Sequence, residues 1–269
     1  MTTSQRRVGA TITGSVLAPS DIELSVAVAA DLPVDDEQLT VTVNDVAMQV
    51  REVAAAHATR LHVVSGVQPG DLRVQYTATV TGQGTVPEGD EPDRIVATRP
   101  SRYCPTDAMG ALARAEFGDL DGADLLRAVT RRVNEALVYD GTQTRNTDTA
   151  LDTWLRRTGV CRDYTHVATS FMRALGVPTR LASAYAPGLV PMDFHAVIEA
   201  WVDGGWHVAD ATMMAARGSL VRIATGRDAA DTAFMTMPRG NVAMGNLQVT
   251  ASADPVVDFE DPDLLVQLR

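Results

Sequence analysis

The 269-residue chain contains no lysine, and all 23 of its Lys+Arg positions are arginine. It therefore has no side-chain amine of its own to accept an acyl group, although a coding bias toward Ala, Val, Asp and Arg explains the absence at least as well. Cysteine is also scarce. Cys104 and Cys161 are the only two, too few for a disulfide framework. No apolar run approaches the ~20 residues of a membrane span, and none follows Arg6-Arg7 as it would in a signal peptide. A cytoplasmic location with both thiols free is the expectation. Positive charge is in deficit too: the formal net charge is −11 and the pI about 4.8. That balance argues against a nucleic acid or an anionic membrane surface as partner. With 45% hydrophobic residues, the chain can still bury a large core.

The first part of the chain has a period of two. Leu72, Val74, Tyr76, Ala78 and Val80 share one parity, with Arg73, Gln75, Thr77 and Thr79 on the other, as in a half-buried strand. Similar runs at 9–16, 22–29, 39–43, 46–53 and 60–64, separated by turn residues, predict an antiparallel β-sandwich over 1–98. His57 and His62 lie in it at no metal-ligand spacing, and no cofactor or metal is expected. Gly82 to Pro105, punctuated by Gly and Pro around an acidic run, is the expected linker.

Beyond the linker the period becomes helical. Asp121 is placed to cap a helix carrying Leu125, Leu126, Val129, Val133 and Leu137. Asp148 is placed to cap a second with Leu151, Trp154 and Leu155 facing inward. A third begins at Cys161, turns Tyr164, Ala168, Phe171, Met172 and Leu175 toward a core, and stops at Gly176 and Pro178. Strands follow at 180–185, 194–202, 205–211 and 220–224, with a weaker signal at 246–250. The order, helices and then an antiparallel sheet, makes the fold α+β. The expected divisions are 1–98, a catalytic segment 99–253 and an acidic, mostly solvated tail 254–269.

The chemistry gathers at three places. Cys161 opens a helix, where unpaired N–H groups and the helix dipole favour thiolate over thiol. His195 and Asp210 lie on two runs flanking Asp203-Gly204-Gly205, a hairpin signal. If Asp203-Gly204 forms the loop, Val202 faces Gly205, and Asp210 becomes a diagonal neighbour of His195, ~7–8 Å away between backbones. If Gly204-Gly205 forms it, Asp210 faces Glu199, roughly 13–14 Å from His195. Only the first allows contact. Such a trio suits acyl transfer: a thiolate attacks a carbonyl, the imidazole moves the proton, and the carboxylate orients the imidazole. His166 is a rival base, but five helical positions after Cys161 it is rotated by about 140°. His207 has the opposite strand parity from Asp210.

These motifs carry a resemblance. The run Arg157-Thr158-Gly159-Val160-Cys161-Arg162-Asp163, then Leu175-Gly176-Val177-Pro178-Thr179-Arg180, then His195-Ala196-Val197-Ile198-Glu199-Ala200-Trp201, then Trp206 and Asp210-Ala211-Thr212, resembles the bacterial transglutaminase-like superfamily. The likeness is close over residues 145–215. It is weaker over the N-terminal strands and Pro100–Cys104, which resemble the two-domain members. It implies a papain-like core of helices on an antiparallel sheet, with Cys161 as nucleophile, His195 as general base and acid, and Asp210 as the orienting acid. Ala211 departs from the proline common there. Members include cross-linkers, proteases and deglycosylating amidases. The expected activity is thus a thiol-dependent amide hydrolase, a cysteine protease or amidase working through a thioester on a peptide or protein amide. Protein-glutamine acyl transfer is the alternative, and a non-catalytic interaction module with a vestigial triad is the second. A homo-oligomer is left open by the sequence.

Overall fold

In a computed structural model that describes residues 4–86 and 88–269, the chain builds two antiparallel sheets with helices between them in sequence. The first is organised on one long strand, β1 (Gln5–Leu24). After it come β2 (Val34–Val43), β3 (Val46–Ala47), β4 (Arg51–Ala54), β5 (Arg60–Val67) and β6 (Gly70–Thr81). One edge of β1 pairs with β6 through residues 5–16 and with β5 through 20–24. Register shifts near Val16, Ala18 and Asp21 mark the place where it passes from one partner to the other. Bulges bend a strand and increase its twist, so the sheet curls. In place of the expected sandwich of two sheets there is this single curled sheet, which covers a core of residues such as Ile12, Ile22, Leu24, Val64 and Val80. In β6 the predicted alternation holds, with Leu72, Val74, Tyr76, Ala78 and Val80 all buried.

The helices are α1 (Glu91–Val96), α2 (Thr106–Phe117), α3 (Gly122–Ala136), α4 (Ala150–Arg156) and α5 (Cys161–Ala174). The expected linker contains α1, capped by Asp90, which accepts the N–H of Asp93 at 2.8 Å. α3 buries Leu125, Leu126, Val129 and Val133 as its spacing predicts, although Asp121 makes no side-chain cap. In α4 the cap is Thr149, in a reciprocal box with Asp152, one residue later than expected. Asp148 instead pairs with Arg156 at 2.6 Å. Leu155 is 73% exposed, while Trp154 supplies the buried contact, edge-on to Phe171 at 4.9 Å. A short parallel pair, β7 (Val138–Tyr139) and β8 (Thr158–Gly159), precedes α5.

The second sheet has the order β11 (Gly205–Ala209), β10 (Phe194–Val202), β9 (Thr179–Tyr185), β12 (Val221–Gly226). The class is α+β. Ile198, Ala200 and Val202 of β10 share a core with Phe171 and Met172 of α5, and Tyr185, Val221 and Ile223 join the core of the first sheet. Two features bear on the expected divisions. β13 (Met235–Asp254) runs back along β1 from Leu24 to Gln5, so the segment 99–253 ends inside the first sheet. A sequence window sees β13 as polar because one of its faces is open to solvent, and only Val242 and Val249 along it are buried. The tail is also only partly solvated: Leu268 is buried, Val266 pairs with Val208, and Glu260 accepts the N–H groups of Arg217 and Gly218.

Candidate active site

Cys161 is the first residue of α5, and its neighbours hold it there. The β7–β8 pairing leads the chain to Val160, whose N–H donates to Asp163 Oδ2 at 3.0 Å. That oxygen also takes the Thr144 hydroxyl at 2.6 Å, while Asp163 Oδ1 takes Arg162 Nη2 at 2.7 Å. Asp163 is thus a buried carboxylate at the third helical position, favourable both for the dipole and for the orphan N–H ahead of the helix. Gly159 permits this closeness, since a Cβ there would lie 2.6 Å from Asp163 Cβ. The Cys161 thiol remains partly exposed, with Sγ 3.9 Å from the Phe194 carbonyl oxygen.

The hairpin adopts the first of the two registers. Val202 faces Gly205 and Ile198 faces Ala209, with Asp203 at φ 51° and Gly204 at φ 82°. Positive φ at both loop positions is the type I′ geometry whose twist suits a hairpin. Asp210, the next residue after β11, therefore lies diagonal to His195, and Asp210 Oδ2 is 2.9 Å from His195 Nε2. A carboxylate can only accept, so Nε2 carries the proton and Nδ1 is left over. Nδ1 is buried and has no hydrogen-bond partner among the described residues. On α5, Thr165 Oγ1 donates to the Ala196 carbonyl at 2.9 Å, pinning the strand beside His195 to the helix that carries Cys161.

Electrostatics follow the geometry. Burial disfavours an imidazolium at His195, but the charge and hydrogen bond of Asp210, and then Cys161, outweigh it and raise its pKa to about 10. Burial likewise works against the Asp210 anion. His195 and Thr212 nonetheless hold it below the ordinary carboxylate range. Asp210 Oδ1 accepts the Thr212 N–H and hydroxyl at 2.9 and 2.7 Å, and Oδ2 accepts the N–H groups of Met214 and Ala215 at 3.1 Å each.

The other thiol and imidazoles are engaged elsewhere. Cys104 is fully buried, and burial pushes its thiol up to about 12. His166 stacks on Tyr103 with ring centroids 5.1 Å apart and accepts the Ala229 N–H at 3.2 Å. Burial lowers its pKa to about 4. His207 is pushed down by burial as well. Sequence reasoning missed Thr144 and Asp163, which brace the start of α5, and Thr212, which braces Asp210. An acidic residue at the third helical position was the one available signal for Asp163; no local pattern announces Thr144, which arrives from a loop.

The model for the transglutaminase-like superfamily matches residues 112–211. The structure of a candidate cysteine protease from Cytophaga hutchinsonii is 30% identical, superposes with a TM-score of 0.88, and is matched over 99% of this chain and 97% of that one. The chain belongs to the transglutaminase-like superfamily. A more distant match is the periplasmic domain of TgpA from Pseudomonas aeruginosa, at 20% identity and TM-score 0.43, over 77% of this chain and 90% of that one. An uncharacterized protein of Mycobacterium leprae is 24% identical over 144 residues, 50% of this chain. The chain spans about half the length of that curated relative, 52% of it. Cys161, His195 and Asp210 all fall inside the matched transglutaminase-like segment. Cys161 and His195 line a cavity of about 490 Å³.

Proposed function

We propose that the chain is a thiol-dependent amide hydrolase of the cysteine protease or amidase type, with Cys161 as nucleophile, His195 as acid and base, and Asp210 as the group that orients His195. One observation carries this: His195 gives Nε2 to a buried carboxylate 2.9 Å away, leaves Nδ1 without a hydrogen bond among the described residues, and interacts with Cys161, which helps raise its pKa. A raised His195 pKa favours a thiolate–imidazolium pair. The thiolate sulfur attacks the amide carbon, a C–S bond forms, and the carbonyl π electrons move to oxygen. The N–H of Cys161, at the first position of the helix, is the expected donor to the developing oxyanion. Collapse breaks the C–N bond as His195 gives its proton to the departing amine, leaving a thioester. Neutral His195 then removes a proton from water, whose oxygen attacks the thioester and releases acid and thiol. Tyr139 is our candidate for the second oxyanion donor: its hydroxyl lies against Cys161, and burial, then the Cys161 charge, hold its proton above the ordinary phenol range.

Iodoacetamide at near-neutral pH, with peptide mass spectrometry, tests the reading. Cys161 should alkylate ahead of Cys104, and His195→Ala should abolish the advantage. Equal slow labelling of both thiols would refute it. Once a substrate amide is in hand, release of ammonia or peptide without incorporation of an added labelled amine would distinguish hydrolysis from acyl transfer.

A further inference from the structure

Part of the lining of the cavity at Cys161 comes from a different part of the fold. Phe234 immediately precedes β13, Met235, Met237, Met244 and Leu247 lie on it, and Phe194 of β10 lines the same cavity. Phe194 and Phe234 stack with centroids 5.4 Å apart. Most of these side chains pack only partly on the first core, and Met244 is 43% exposed. Apolar surface held open to water is unfavourable unless an apolar group covers it in the working state. Methionine suits such a wall because its unbranched, polarisable side chain adapts to different apolar shapes.

Charge at the cavity gives no competing preference. The Arg162 guanidinium is committed to Asp163, Thr144 and the Arg145 carbonyl. Asp193 takes the Phe194 N–H on Oδ1 at 2.7 Å, and burial raises its pKa. The volume, about 490 Å³, lies within the ordinary range for small-ligand sites and accepts a large side chain with adjoining backbone.

Resting on the assignment of Cys161 as nucleophile, we infer that the β13 wall is the acyl-side specificity site and takes a large uncharged apolar side chain, of the Leu, Met or Phe kind, from a peptide whose carbonyl meets Cys161. The N-terminal sheet thus contributes to substrate choice through its last strand. Cys161, His195 and Asp210 all lie outside that sheet.

The test uses N-acetyl dipeptidyl chloromethyl ketones in two series, Ac-X-Ala and Ac-Ala-X, with X as Gly, Leu, Met, Phe or Asp. The Cys161 sulfur displaces chloride to form a thioether, and the second-order rate is followed by mass. One series should react about tenfold or more faster with Leu, Met or Phe than with Gly or Asp, the scale on which apolar pockets discriminate. Iodoacetamide, which needs no pocket, is run alongside. Failure of iodoacetamide to label Cys161 removes the nucleophile assignment itself. Labelling by iodoacetamide with flat peptidyl rates overturns the specificity site alone. The double variant Met237→Gln/Met244→Gln keeps side-chain length but adds polar atoms, and should bring the Leu-to-Gly rate ratio toward 1. A ratio unchanged in the folded variant overturns the placement on β13.

Discussion

Asp210→Asn is the most informative single change, because it removes one charge and almost no volume. In the native protein the His195 pKa of about 10 lies above the ordinary 6.5. At about 1.4 kcal/mol per pKa unit, that difference corresponds to about 5 kcal/mol in favour of the cation. Asp210 and Cys161 share it against the opposing cost of burial. With Asn at 210 the burial cost remains and the larger attraction is gone, so the imidazolium should be lost at or below ordinary imidazole pH. The sign follows: a raised folded-state pKa stabilises the fold fully below about 6.5, and this contribution disappears as pH rises through about 10. Iodoacetamide rates at Cys161 between pH 5 and 10.5 read the effect. The wild type should alkylate fast across neutral pH, and Asp210→Asn should be slower by about 10–100-fold at pH 7. Superimposable rate profiles would refute the assignment of Asp210. Fluorescence melts would show whether loss of fold is responsible, since Asn still accepts from Thr212.

Three further outcomes are expected. His166 is buried neutral with a pKa of about 4, so the unfolded chain binds a proton between pH 6.5 and 4 that the folded one does not. Stability should therefore fall by about 3 kcal/mol over that window, and denaturant titrations of His166→Gln should show a flatter acid limb. Gly159→Ala puts a Cβ 2.6 Å from Asp163 Cβ and should cost about 1–3 kcal/mol in thermal unfolding, with slower alkylation of Cys161 as the start of α5 shifts. Tyr139→Phe should leave the melting transition nearly unchanged and lower the acylation rate of Cys161 by about 10²-fold, as loss of one oxyanion donor does; an unaltered rate would remove Tyr139 from the mechanism.

The legible parts of the chain were those written in short-range pattern. The alternation of β6, the stripe of α3 and the Asp-Gly turn were each readable because one face of the element is buried or because two adjacent residues must accept positive φ. Cys161, His195 and Asp210 stand out by residue type and order, and the contact of His195 with Asp210 depends on a hairpin register that two residues settle. Other features depend on distant partners. Asp148 looks like a cap, but Arg156 claims its carboxylate and the cap passes to Thr149. Leu155 matches a helical stripe, yet α4 is short and Trp154 already fills its contact with α5. β13 could not be placed from its own residues: few of them are buried, and its position is set by pairing with β1, more than two hundred residues earlier in the chain. For the same reason, the apolar wall facing Cys161 was invisible until the strands were assembled.

The central claim is that Cys161 forms a thioester with the help of His195. An activated ester, p-nitrophenyl acetate, tests it without knowledge of the natural substrate. Acid-quenched protein should carry one acetyl group on Cys161, formed with a burst of nitrophenol, and His195→Ala should lose the burst. Absence of acetyl-Cys161, or equal acetylation of Cys104, would contradict the account.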